Sequence, residues 1–149
     1  MAKMIPQTME DDNNSFGERQ VFEALKKLPD EYTVFHSVRW NDRNEKNTVV
    51  YGESDFTVFH PKKGIIVIEV KSGGIECMNN TWSYIRTDNG ERHSMKNPLK
   101  QADRSKYRFL DLLEDLLKDT EYTSRPQYCM VESAVWFPSV SKRDAIGTL

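Results

Sequence analysis

The chain has little of what usually makes a function obvious. Its 149 residues include only two cysteines, Cys77 and Cys129. Two cannot build a disulfide framework, and a reducing cytoplasm is the expected setting. The three histidines, His36, His60 and His93, have no ligand spacing, so neither a zinc set nor a catalytic histidine set is present. A glycine-rich phosphate loop of the Walker type is missing, which argues against nucleotide hydrolysis by this chain alone. No apolar run approaches the roughly 20 residues that span a bilayer. Met1-Ala2-Lys3-Met4-Ile5-Pro6-Gln7 lacks the apolar core of a secretory signal. Repeats and low-complexity tracts are absent as well. Excess charge of either sign is also scarce: 21 Lys and Arg face 23 Asp and Glu, a net charge of −2. That excludes a generally basic nucleic-acid coat but leaves room for a local basic groove.

What remains is a soluble composition, 38% hydrophobic and 30% charged, in one domain long enough to bury a core. Residues 1–14 are polar up to Glu10-Asp11-Asp12-Asn13-Asn14 and read as a flexible lead-in. Ser15 with Glu18 has capping-box spacing, and Val21, Phe22, Leu25 and Leu28 recur at helical spacing behind it. Tyr32–Trp40, Val49–Phe59 and Ile65–Lys71 read as strands, with a polar loop over Asn41–Asn47 and a turn at His60-Pro61-Lys62-Lys63-Gly64. A small hairpin is expected around Asn79-Asn80, and a turn at Asp88-Asn89-Gly90. Asn97-Pro98 opens a second helix that runs to about Leu117 and buries Leu99, Ala102, Phe109, Leu113 and Leu116. A last strand covers Tyr128–Phe137. The tail 139–149 has no clear closure and reads as cut from a longer chain. This order, helix, three strands, hairpin, helix, strand, predicts an α/β fold with helices covering a mixed central sheet.

One strand end asks for a chemical reason. Ile65-Ile66-Val67-Ile68 runs into Glu69-Val70-Lys71, and carboxylates and lysines are rarely buried unless paired. With the preceding turn centred on Lys62, Phe59 falls opposite Ile65 and Asp55 opposite Glu69, with Cβ atoms about 4.5–5.5 Å apart in such pairs. Period-two alternation puts Lys71 on the face of Glu69, with Glu53 opposite Lys71. The other face carries Phe56, Val58, Ile66, Ile68 and Val70. Adjacent carboxylates repel unless protonated or bridged by a cation. Mg²⁺ takes such carboxylates together with water and phosphate oxygens, and a neighbouring lysine can hold the attacking water. Alone, Glu-x-Lys is more often an ordinary surface strand end; Asp55 at the matching register, between apolar strands, brings the two readings level. Glu18 lies on the apolar stripe of the first helix, so two readings stand side by side: it reaches the metal site, or it only completes the cap with Ser15.

Lys100, Arg104 and Arg108, four residues apart along the second helix, form a basic ridge that suits a phosphate backbone. A solvated helix face is the commoner origin of such a pattern. Trp40, Trp82 and Trp136 fit base stacking less well than packing.

Phe16-Gly17-Glu18, Gly52-Glu53-Ser54-Asp55-Phe56, His60 through Gly74, Trp82 and Asn97-Pro98-Leu99-Lys100-Gln101-Ala102 together resemble the nuclease-related domain, NERD, of the PD-(D/E)xK nuclease superfamily. The likeness runs from about Phe16 to Phe137, within a domain expected over residues 15–138. It implies a restriction-endonuclease-like core and a DNA hydrolase using Mg²⁺ or Mn²⁺. Asp55, Glu69 and the Val70 carbonyl would be metal ligands. Lys71 would be catalytic. Glu18 would match the family's first-helix glutamate, and Gln101 its second-helix glutamine. DNA is the implied partner, with a helicase or other fused domain as a further one. Related nucleases often carry a tyrosine four residues after that glutamine, where this chain has Ser105, with Tyr107 two further on. Ser54 stands where the superfamily name has proline.

Overall fold

The computed structural model describes residues 1–9, 15–43, 46, 49–86, 88–123 and 129–141, leaving aside the side chains of 40–43 and 49–51. Five strands form a mixed sheet: β1 (Lys3–Ile5), β2 (Thr33–Arg43), β3 (Val49–His60), β4 (Gly64–Val70) and β8 (Val131–Trp136), in the order β1-β2-β3-β4-β8. β2, β3 and β4 are antiparallel neighbours, while β1 joins β2 and β8 joins β4 in parallel. Helices α1 (Phe16–Lys26) and α2 (Pro98–Leu117) complete an α/β architecture consistent with a restriction-endonuclease-like core. A separate small sheet holds β5 (Gly74–Met78), β6 (Thr81–Ile85) and β7 (Arg92–Ser94).

Each helix starts as its capping chemistry dictates. The Ser15 hydroxyl accepts the Glu18 N–H, and the Asn97 side chain accepts from Leu99 and Lys100 N–H ahead of Pro98. α1 then lays Val21, Phe22 and Leu25 on one face of the sheet, against Val34, Phe56, Val58, Ile68 and Val70. Those strand positions are the apolar alternation expected of the hairpin. On the other face Val67 is buried, and its β8 neighbour Ser133 donates to Asp103 of α2 at 2.5 Å. α2 therefore covers the opposite face from α1. Lys106 pairs with Glu132, one strand position before Ser133. α2 thus runs antiparallel to β8, and its first turns lie over the end of β4 that carries Glu69.

Several elements differ from expectation, each for a packing reason. The expected lead-in contributes β1, and Ala2 and Met4 are buried in the α1-side core; residues 10–14 lie outside the described ones. Asn41, Asp42 and Arg43, expected in the polar loop, instead continue β2, paired with β3. The hairpin at Asn79-Asn80, both with positive φ as its tight turn requires, gains a third strand, β7. β8 spans Val131–Trp136 only, and Tyr128 lies outside the described residues. Nearly all of the tail, 142–149, lies outside them too. On α2 the buried stripe is Pro98, Ala102 and Ser105, while Leu99 and Leu116 are exposed. A helix of 20 residues is about 30 Å long. β8 has 6 residues, about 20 Å at strand rise, so the far end of α2 outruns its support.

Phe56 is fully buried between α1 and the sheet. Phe56→Ala is expected to cost about 3–5 kcal/mol in urea unfolding, whereas Leu116→Ala is expected to change stability by less than about 0.5 kcal/mol. Equal effects would show that this packing assignment is wrong.

Candidate functional site

The β3–β4 register agrees with the count from Lys62: Phe59 faces Ile65 and Phe56 faces Ile68. The ladder stops there. One step further on, where a continued ladder would place Ser54 against Val70, the Val70 N–H instead donates to the Asp55 carboxylate at 2.7 Å. The β2–β3 ladder also skips a pair at this level, Ser37 with Asp55, because Ser37 has φ of 55°. The sheet therefore forks at Asp55. Glu53, expected opposite Lys71, lies beyond the fork and faces Arg39 of β2 at 3.6 Å.

Glu69 near the end of β4 and Lys71 just past it share the α2 face as alternation requires, and Lys71 Nζ donates to Glu69 Oε1 at 2.6 Å. Within one strand residue the N–H and C=O point to the same edge. Since the Val70 N–H reaches Asp55, the Val70 carbonyl also projects into the fork. Lys71 closes β4 by donating its own N–H to the Trp136 carbonyl at 3.0 Å. The chain then turns through Ser72 and Gly73. A Cβ on Gly17 would lie 2.3 Å from Ser72 Cβ, so only glycine lets the first turn of α1 reach the segment behind Lys71. Gly73 has φ of 89° and lies under the Tyr84 ring, where a Cβ would come within 2.7 Å.

Glu18 comes from the α1 side. One carboxylate oxygen accepts from the Ser15 hydroxyl at 3.1 Å, and the other from His36 Nε2 at 3.3 Å. Among the described residues, no group of three or more His, Cys, Asp or Glu is arranged to hold a metal ion. The three carboxylates are coupled through their charge all the same. Burial lifts the Asp55 carboxyl from 3.8 to about 7; the Val70 N–H opposes this, Glu69 and Glu18 add to it, and Lys71 opposes it. One lysine does not balance three carboxylates. Asp55, Glu69, Glu18 and the Val70 carbonyl are hard oxygen donors of the kind that a divalent cation takes.

Gln101 is half-buried beside Ala102 and Ser105, and the direction of α2 places it toward the Glu69 end of β4. Lys100 and Arg104 are exposed, and Arg108 is half-buried. Lys100 to Arg108 covers about 12 Å of helix at 1.5 Å per residue, leading away from the site. Tyr107 does not replace the missing tyrosine: two helical steps turn it about 200° from the buried Ser105, and it is exposed. Trp82 packs rather than stacks on a ligand, lying parallel to Phe137 at 5.9 Å. Trp136 is partly exposed on β8, and the Trp40 side chain lies outside the described residues. The partner that holds Glu18, His36, carries no ligand spacing that would mark it in the sequence. The signal that could have found it is strand alternation, which puts His36 on the core face with Val34 and against Phe56.

The described α/β core, a mixed five-stranded sheet with two helices, is consistent with a restriction-endonuclease-like fold. The family model for the nuclease-related domain matches residues 13–138, and the chain belongs to that family. Comparison with curated proteins and with solved structures found no match.

Between 3.8 and about 7 the folded protein keeps a proton on Asp55 that the unfolded chain has already released. This group therefore lowers stability as pH rises through that window, and the full cost persists above it. In EDTA, Asp55→Asn should match the wild type in melting temperature near pH 4 and exceed it increasingly up to pH 7.5. A difference that stays flat with pH would refute the elevated value.

Proposed function

We propose that this domain hydrolyses DNA phosphodiester bonds with Mg²⁺ or Mn²⁺ held by Asp55, Glu69 and the Val70 carbonyl, with Glu18 close by. The observation that carries this reading is the fork, where a buried carboxylate with an elevated pKa meets Glu69 and Lys71. An ordinary strand end has no need of that cluster. The cation would draw the scissile phosphate into the site, lower the pKa of water there and offset the negative charge that develops.

The protein's own groups supply the rest. Lys71 is held by Glu69 with its ammonium at the strand end, where it can orient the attacking water and stabilise charge on the phosphate. Gln101, half-buried on the first turns of α2, would hold that water or a phosphate oxygen. Lys100 and Arg104 extend from the site as a phosphate-binding ridge, joined by Arg108. This local ridge allows DNA binding at a net charge of −2. The reading places the domain in a reducing cytoplasm, in keeping with its two free cysteines. Among the described residues no helix is long and apolar enough to cross a membrane.

A second reading is a DNA-binding module of weak or no activity, serving a fused or partner domain such as a helicase. The absence of a three-carboxylate group at metal-holding geometry among the described residues favours it.

With plasmid or linear DNA, cleavage is expected in Mg²⁺ or Mn²⁺ and none in EDTA. Glu69→Ala and Lys71→Ala should each lower the rate by roughly 100-fold or more. Cleavage that survives EDTA or both substitutions would overturn the metal-dependent mechanism at this site, and a gel shift on DNA that stays intact would select the module. Lys100→Ala and Arg104→Ala should each reduce the salt dependence of DNA binding by about one unit of slope; an unchanged slope would remove the ridge from the interface.

A further inference from the structure

We propose that His36 is a positioning residue that holds the Glu18 carboxylate at the fork; this inference rests on the hydrolase reading above. His36 is buried on β2 directly opposite Phe56, the residue after Asp55. Its ring lies 4.8 Å from that of Phe56 and edge-on to Phe22 of α1 at 6.1 Å. Two packed rings fix the imidazole plane, so its Nε2 points in one direction.

That direction is Glu18. A carboxylate only accepts hydrogen bonds, so the proton sits on Nε2 and is donated to Glu18 Oε2 at 3.3 Å. The Ser37 hydroxyl oxygen lies 3.3 Å from the same nitrogen and, with the proton on Nε2, is a second acceptor that shares it. The left-handed backbone at Ser37 that places this hydroxyl is also the break that opens the ladder opposite Asp55. A non-glycine residue with positive φ is uncommon. Here it marks both ends of one site, since the β2–β3 pairing skips Ser37 opposite Asp55 and the Ser37 hydroxyl reaches the imidazole that holds Glu18. Ser15 takes the other oxygen of Glu18 at 3.1 Å. With both oxygens engaged, Glu18 is a fixed negative group at the level of Asp55. It is suited to holding water or a cation at the fork and does not swing through solvent.

The test compares wild type, His36→Phe, His36→Gln, Glu18→Gln and the double variant Glu18→Gln with His36→Phe. Phenylalanine fills the slot between Phe22 and Phe56 without the donor, and glutamine restores an N–H donor. The readouts are Mn²⁺ affinity by calorimetry, the Mn²⁺ dependence of cleavage, and the melting temperature in EDTA. His36→Phe is expected to weaken Mn²⁺ binding roughly 10–100-fold. His36→Gln should recover most of that loss, and His36→Phe should add nothing in the Glu18→Gln background. A purely packing role would instead lower the melting temperature of His36→Phe, leave its Mn²⁺ affinity unchanged and show the same effect with or without Glu18. That result would overturn the proposal. Absence of Mn²⁺ binding by the wild type is a different result, and it overturns the metal-dependent reading together with this one.

Discussion

At Asp55 a side chain takes over a bond that the backbone would otherwise make. The Val70 N–H is buried between strands and must be satisfied, since an unmade bond there would cost about 1–3 kcal/mol. The β3 backbone has already parted from β4, so the Asp55 carboxylate accepts that proton at 2.7 Å. This single contact anchors Asp55 against the end of β4 and turns the Val70 carbonyl into the same gap. It also places the carboxylate beside Glu69 and Lys71. Were the ladder to continue past Phe56, the two strands would close over the space in which the chemistry is proposed to occur.

The fork has an electrostatic consequence. Burial pushes Asp55 toward its neutral form; the Val70 N–H opposes this, the two further carboxylates add to it, and Lys71 gives the smallest compensation. The site is therefore destabilising as it stands, as sites prepared to receive charge often are. The surrounding packing holds it in place. The α1-side core fixes Phe56, Ile68 and Val70, and the strands that carry the carboxylates inherit that rigidity.

The two helices address this gap from opposite faces of the sheet. α1 brings Glu18, seated against His36, and comes close only because Gly17 has no side chain to meet Ser72. α2 runs antiparallel to β8, with its first turns over the Glu69 end of β4.

Local patterns are legible in the amino-acid order alone. Period-two alternation separates the apolar face of the hairpin from Glu69 and Lys71. The turn centred on Lys62 sets the register, and Ser15 and Asn97-Pro98 mark the helix starts. These features depend on neighbouring residues, so sequence carries them. Other features depend on distant competition and are settled only by the fold. Where the β3–β4 ladder ends is decided by whether a backbone carbonyl or the Asp55 carboxylate takes the Val70 proton. Which leucines of α2 are buried depends on how far the sheet reaches beneath it. His36 acquires a partner only when α1 lies across β2. The order of residues dictates which side chains share a face and which charged groups need explaining. The folded chain alone decides where the sheet opens, because that is a contest between hydrogen-bond acceptors from different parts of the molecule.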